Sequence, residues 1–167
     1  MADTVNLIPV MTSNTAPSGV VSACAEEGHP AWYAADDGTS SEGWYCVIDH
    51  THNWNYDFGY KVIITKYVIT PYGGTTNYYD PKDWKFQGYN GATWEDLDTQ
   101  TGYAFGTHPS PPAVEFPISN TKEYQAYRLL ITDTQRGDAA IIRKVQMMGH
   151  LPATTNYLKS YRRLSFQ

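Results

Sequence analysis

The feature that most constrains this chain is a series of short strand-forming segments separated by Gly, Pro and Asn, with no helix pattern ahead of the C-terminal tail. The strongest segment is 61–70 (KVIITKYVIT), which is rich in β-branched residues. Residues 54–58 (WNYDF) alternate aromatic and polar side chains, the period of a half-buried strand. Segments 84–87 and 94–97 flank the Asn90-Gly91 pair, a typical hairpin signal. This pattern predicts an antiparallel all-β sandwich or barrel.

The chain length of 167 residues fits a single domain, which we place at residues 1–149. Residues 150–167 are interpreted as a C-terminal tail that docks on a partner or trails into solvent. Further strands are predicted at 6–10, 113–116, 126–132 and 141–148.

Charge and hydropathy exclude several classes of partner. The net charge is −5, and the cluster of Lys159, Arg162 and Arg163 is too small for a phosphate-binding surface, so no nucleic acid is expected. No apolar run is long enough to enter a membrane. The N-terminus carries no signal-peptide pattern. The chain is therefore expected to reach the outside of the cell or a virion surface by another route. Alternatively, it is a piece of a longer polypeptide.

Enzyme motifs are missing from the sequence. Neither a Gly-x-Ser-x-Gly elbow nor a phosphate-binding loop occurs, and no spacing supports Cys24 or Cys46 as a nucleophile beside a histidine. The two cysteines either pair or both remain free thiols, and the sequence leaves both alternatives open. We therefore predict that the protein is not an enzyme.

Six segments occur in a recognisable order. They are 6–8 (NLI), 31–38 (AWYAADDG), 54–59 (WNYDFG), 81–97 (PKDWKFQGYNGATWEDL), 127–129 (YRL) and 142–149 (IRKVQMMG). In this order they resemble the discoidin domain, also called the coagulation factor 5/8 type C domain, and the galactose-binding-like carbohydrate modules, in particular those of bacterial and phage-borne proteins. The resemblance implies an antiparallel jelly-roll β-sandwich that binds glycans in loops at one end.

The resemblance also implies a structural calcium ion near the Asp37-Gly38 turn, completed by a glutamate close to the last strand. Lys144 stands where that glutamate is expected. An ammonium group repels Ca²⁺, which prefers carboxylate and carbonyl oxygens, and Lys144 is instead expected to pair with Asp37. We therefore predict no metal and no other cofactor.

The reversal of successive antiparallel strands predicts which loops lie together. If each predicted strand reverses direction, loops 43–53, 71–81, 98–112 and 133–140 share one end of the sandwich, and 13–33 is expected to join them. The turns at 59–60, at Asn90-Gly91 and at 117–124 then lie at the other end. Long loops concentrate binding residues, so the first end is the predicted site.

The candidate binding residues are aromatic, histidine and amide side chains, because a sugar offers an apolar C–H face and a ring of hydroxyls. Tyr78 and Tyr79 lead the candidates, since two adjacent tyrosines in a Gly- and Thr-rich loop are hard to bury together. His50 and His52 are interpreted as glycan contacts or solvated side chains, because the spacing offers no third metal ligand. The complete candidate set is Tyr45, His50, His52, Tyr72, Asn77, Tyr78, Tyr79, Tyr103 and His108.

Trp44, Trp54, Trp84 and Trp94 are predicted core residues, as is Trp32. The Arg136-Gly137-Asp138 tripeptide is interpreted as a chance occurrence.

Two functions are compatible with these patterns. The first is a non-catalytic carbohydrate-binding module that attaches to surface glycans, on a phage or virus attachment structure or beside a secreted enzyme. The alternative is a structural virion or assembly protein that uses the same sandwich for protein–protein contacts, with a homo-oligomer or virion neighbours as partners.

Overall fold

The computed structural model describes residues 5–26, 28–36, 43–47, 51–137 and 139–152. Within them the chain forms eight strands, all paired antiparallel, and one short 3₁₀ helix at Ala31–Ala35. The strands are β1 (Val20–Ala23), β2 (Trp44–Cys46), β3 (His52–Pro71), β4 (Pro81–Tyr89), β5 (Trp94–Gln100), β6 (Val114–Pro117), β7 (Tyr124–Thr134) and β8 (Ala140–His150). None of the helical structure in these ranges has the length and apolar character needed to cross a bilayer.

Strand β3 is shared by two sheets. Its first half pairs with β1 and β7, and β7 continues through β4 to β5. Its second half pairs with β6 and β8, and β8 continues to β2. The predicted antiparallel β-sandwich is therefore confirmed.

The two segments predicted as separate strands, 54–58 and 61–70, form one continuous strand with a bend near Gly59. Gly59 has φ +75°, a conformation that suits glycine, and its N–H donates to Asp57 Oδ1 at 2.7 Å. The bend reverses the chain direction, because His52 pairs with Ile131 and Pro71 pairs with Ile142, both at one end of the sandwich. The predicted reversal at 59–60 is thus confirmed, although the strand is not interrupted.

Aromatic rings stacked between the sheets form the centre of the core. The Tyr67 ring lies between Phe86, at 4.3 Å between centroids, and Phe116, at 4.9 Å. The Trp84 indole N–H donates to the Tyr67 hydroxyl, which in turn donates to Asp98 Oδ2 at 2.6 Å. Burial raises the pKa of Tyr67, and the hydrogen bond to Asp98 raises it further. The rings thus supply apolar area while their polar atoms remain satisfied.

Several sequence predictions differ from the structure at the edges of the sandwich. Residues 6–10 do not form a strand; Asn6 alone bridges to Met148. His150, assigned to the tail, is the last residue of β8 and lies opposite Ile63. Residues 153–167 of the predicted tail lie outside the described residues.

Trp94 is not a core residue. Trp44, Trp54 and Trp84 are fully buried as predicted, whereas the Trp94 ring is only half-buried and lies beneath the Arg128 guanidinium at 4.3 Å. Trp32 is likewise half-buried against the core. The Asn90-Gly91 hairpin signal predicted the strand that contains Trp94 but not which face of that strand is covered.

Candidate functional site

The loops that follow β3, β5 and β7 meet at one end of the sandwich, which we call the loop end (residues 72–80, 101–113 and 135–137). Backbone hydrogen bonds join them. The Arg136 N–H donates to the Tyr78 carbonyl at 2.9 Å, and the Gln135 N–H donates to the Asp80 carbonyl at 3.1 Å. The Gln135 side chain donates to the Tyr103 carbonyl at 2.8 Å. The predicted meeting of these three loops is confirmed, and the bonds hold their backbones in fixed positions.

A buried Asp80–His108 pair lies at the centre of the loop end. Asp80 Oδ2 is 2.8 Å from His108 Nε2, and the side chains are 1% and 6% exposed. His108 Nδ1 lies 3.0 Å from the Gly74 carbonyl, which can only accept, so Nδ1 carries a hydrogen. Burial raises the pKa of Asp80 to about 6, and the hydrogen bond with His108 opposes that rise. The pair links loop 72–80 to loop 101–113.

A row of half-buried rings extends from the loop end along the side of the sandwich. We call it the aromatic row. Tyr79 contacts Tyr45 of β2 at 6.0 Å, Tyr45 contacts His29 at 5.8 Å, and His29 contacts Tyr33 at 6.3 Å between ring centroids. Trp32 ends the row, 4.6 Å from Tyr33. Edge-to-face contacts of this kind are a favoured arrangement of aromatic rings and help to set the ring orientations.

Tyr78 directly precedes Tyr79 in the chain and is the most accessible ring of the loop end. Its side chain is 47% exposed, and the Arg136 guanidinium lies 5.6 Å from its ring centroid. An arginine over a tyrosine face gains cation–π attraction and presents several N–H donors beside an apolar plane. Together the two residues offer a flat surface and hydrogen-bond donors at one place.

The structure brings part of the predicted set together. Tyr45, Tyr78 and Tyr79 lie in or beside the aromatic row, and Asn77 is exposed next to them, its carbonyl accepting from the Asp80 N–H at 3.1 Å. The Tyr72 ring packs directly over the Gly74 backbone in the same loop. His50 lies outside the described residues.

Three predicted residues are not placed for surface contact. His52, predicted in a loop, begins β3 and is 3% exposed, because the alternation of β3 turns it inward with Trp54 and Tyr56. The Tyr103 ring packs edge-on against Trp84 and joins the edge of the core. His108 is buried by its pairing with Asp80. All three residues lie near the predicted loops, but their side chains contribute to packing and not to an accessible binding surface.

Sequence reasoning did not select His29, Tyr33 and Arg136, which the structure places in the aromatic row or against Tyr78. The strand count places His29 with these loops, and its ring neighbours are Tyr33 of the 3₁₀ helix and Tyr45 of β2. In the sequence, Arg136 stands out only as part of a tripeptide whose third residue, Asp138, lies outside the described residues. No local pattern indicates a contact between Arg136 and Tyr78.

The calcium prediction concerns residues that are only partly described. Lys144 lies on β8 opposite Thr70 of β3, whereas Asp37 and Gly38 are outside the described residues. The absence of a metal at that turn stays a prediction.

Comparison with known proteins identifies the architecture but not a family. No family model and no curated protein matches the sequence. Among solved structures, the family 32 carbohydrate-binding module of Clostridium perfringens NanJ, determined with galactose, superposes with a TM-score of 0.62 at 15% identity, over 78% of this chain and 93% of that one.

Two further solved structures show the same similarity. An F5/8 type C domain from Bacteroides fragilis gives a TM-score of 0.63 at 12% identity, covering 80% of this chain and 93% of that one. A fucolectin from striped bass serum gives 0.65 at 16% identity, covering 86% and 50%. With its shared strand β3 and its converging loops, the chain therefore has the galactose-binding-like sandwich fold of discoidin domains and family 32 carbohydrate-binding modules.

Proposed function

We propose that this protein is a non-catalytic carbohydrate-binding module whose site comprises Tyr78, Arg136 and the aromatic row. The observation that carries the proposal is the exposed Tyr78 ring beneath Arg136, next in sequence to Tyr79, which begins the row of half-buried rings. A pyranose stacks its C–H face on such a ring, while guanidinium, amide and phenol groups bond its hydroxyls. The solved modules that share this fold include ones determined with galactose, with GalNAc-β-1,3-galactose and with an unsaturated mannuronic acid.

The rigid backbone of the loop end supports this role. A weak ligand cannot repay the cost of ordering a loose loop, whereas loops already joined by backbone hydrogen bonds lose little freedom on binding. Binding at one site should still be weak, with a dissociation constant of about 1 mM. Useful attachment then comes from several copies acting together. This fits a module that acts outside the cell or at a virion surface, on an attachment structure or beside a secreted enzyme.

The test is a glycan array probed with a multimerised form of the chain, compared with the double variant Tyr78→Ala/Tyr79→Ala. Terminal galactose, N-acetylgalactosamine, fucose and uronic acid glycans are the essential probes. We expect selective binding that falls by about tenfold or more in the double variant, because the exposed ring of Tyr78 and the half-buried ring of Tyr79 are both lost. Tyr60→Ala is the matched control, since Tyr60 is 46% exposed at the opposite end of the sandwich.

Two results would contradict the proposal. Equal losses for the double variant and for Tyr60→Ala would remove the site from the loop end. If folded protein binds no glycan on the array, the alternative role is favoured, in which the sandwich packs against neighbours in a virion or other assembly. Size-exclusion chromatography with light scattering should then show an oligomer.

A further inference from the structure

A cluster of two cysteines and one histidine lies between the edges of the two sheets. We call Cys24, Cys46 and His52 the thiol cluster. Cys24 directly follows β1, Cys46 ends β2, and His52 begins β3. The two Sγ atoms are 2.9 Å apart, and His52 Nδ1 lies 3.4 Å from Cys46 Sγ. The proposed glycan site uses none of these three side chains.

The backbone holds each cysteine to a different sheet. The Cys24 N–H donates to the Asn53 carbonyl at 3.1 Å, and the Asn53 N–H approaches Cys24 Sγ at 3.4 Å, which fixes Cys24 beside β3. Cys46 is paired with Ala140 of β8 in the second sheet. Strand pairing therefore holds the backbones of the two cysteines in place, so that their side chains lie within reach of each other.

We infer that Cys24 and Cys46 form a disulfide that joins the edge strands of the two sheets, made by exchange with a small-molecule disulfide and assisted by His52. The two thiols differ in access in a way that suits two successive steps. Cys24 is half-buried and so more accessible to a reagent, whereas Cys46 is buried next to His52.

The chemistry balances within the cluster. The Cys24 thiolate attacks one sulfur of the reagent R–S–S–R and expels one thiolate, leaving a mixed disulfide on Cys24. Cys46 then passes its proton to His52 Nδ1, and its thiolate attacks Cys24 Sγ and expels the second thiolate. Each cysteine sulfur loses one electron, the reagent gains two, and the two released thiolates take up the two protons.

Electrostatics favour the first step. The hydrogen bond from the Cys46 thiol is the main cause of the lowering of the Cys24 pKa to about 4. Burial of Cys24 raises this pKa, and the hydrogen bond with His52 lowers it further. The thiolate is the nucleophilic form of cysteine, so Cys24 is the attacking sulfur at neutral pH.

The disulfide would close the segment that contains the 3₁₀ helix together with His29, Trp32 and Tyr33. This segment carries four members of the aromatic row, the fourth being Tyr45, and joins the two edge strands β1 and β2. Closing it restricts the unfolded chain and stabilises the folded one.

The experiment incubates the purified chain with oxidised glutathione, alkylates the remaining thiols and analyses the peptides by mass spectrometry without reduction. We expect a peptide that cross-links Cys24 to Cys46, no alkylated cysteine, and a melting temperature that falls by about 5–10 °C when a reductant is added. The variant Cys24→Ser should melt at the temperature of the reduced chain, with or without reductant. The variant His52→Asn should accumulate the glutathione adduct on Cys24, because the buried Cys46 loses its proton acceptor.

Two outcomes would overturn the inference. In the first, both thiols remain alkylatable after equilibration with oxidised glutathione. In the second, the purified chain contains one equivalent of zinc, and the thiols become reactive only after chelation; the thiol cluster would then be a metal site. A His52→Asn variant that closes the disulfide at the wild-type rate would remove His52 from the mechanism.

Discussion

The two ends of the sandwich place their charged side chains in different surroundings. At the loop end, long loops are joined by backbone hydrogen bonds around the buried Asp80–His108 pair. At the other end, which we call the turn end (58–61, 90–93 and 118–123), short turns leave charged pairs such as Lys61–Glu123 in solvent. Long loops can cover a polar pair and present rings on a fixed surface, whereas tight turns have too few residues to do so.

The carboxylates of the two ends show the same contrast. Burial raises the pKa of Asp80 to about 6 at the loop end. At the turn end, hydrogen bonds from Asn90, Tyr124 and Lys122 lower the pKa of Glu95 to about 2. One carboxyl group is held in a site that favours its proton, and the other in a site that favours its charge. This difference can be tested by mutation.

The largest effect is expected from His108→Ala. Removing the imidazole leaves Asp80 buried without its ring partner, so we expect the free energy of unfolding at neutral pH to fall by about 2–3 kcal/mol. Lys61→Ala at the turn end is the control and should cost less than about 0.5 kcal/mol, because Lys61 is 61% exposed and its pair is screened by water. Urea denaturation measures both. Equal losses would mean that the loop-end pair contributes no more than a surface pair.

The next effect is a pair of opposite pH dependences. The pKa of Asp80 is raised from 3.8, so its contribution to stability is full below about pH 4 and is lost as the pH rises through about 6. The pKa of Glu95 is lowered from 4.5, so its contribution is full above about pH 4.5 and is lost as the pH falls through about 2.

These dependences are measured by urea denaturation from acid to neutral pH. The stability of the wild type relative to Asp80→Asn should fall by about 2 kcal/mol between about pH 4 and pH 7. Relative to Glu95→Gln, the stability of the wild type should instead rise with pH over the acid range. Glu115→Gln, which removes an exposed carboxylate, is the control and should show neither trend. Slopes of the same sign for Asp80→Asn and Glu95→Gln would contradict the contrast between the ends.

The smallest effect concerns two arginines that each cover an aromatic ring. Arg136 lies over Tyr78 at the loop end, and Arg128 lies over Trp94 on the outer face of a sheet. We expect Arg136→Ala to weaken glycan binding by about threefold, because a cation–π contact and several donors are lost. Arg128→Ala should leave glycan affinity unchanged. Titration calorimetry with the best array glycan gives both values, and equal losses would place the site elsewhere.

Much of the fold was predictable because strand signals are local. The alternation in 54–58, the β-branched run in 61–70 and the Asn90-Gly91 turn are properties of neighbouring residues, and β3 and the β4–β5 hairpin follow from them. Strands β1 and β2 were not predicted. They are short edge strands, and what makes Val20–Ala23 a strand is its pairing with β3.

The sequence by itself determined an all-β sandwich, the reversal at 59–60 and the end at which the long loops meet, because pattern and strand direction suffice for these. Only the tertiary structure decided which side chains of that end are accessible. It buried His52 and His108, left Tyr78 exposed under Arg136, and brought Cys24 to Cys46. Each of these outcomes depends on partners far along the chain, and contacts between distant segments leave no periodic signal in the residues that make them.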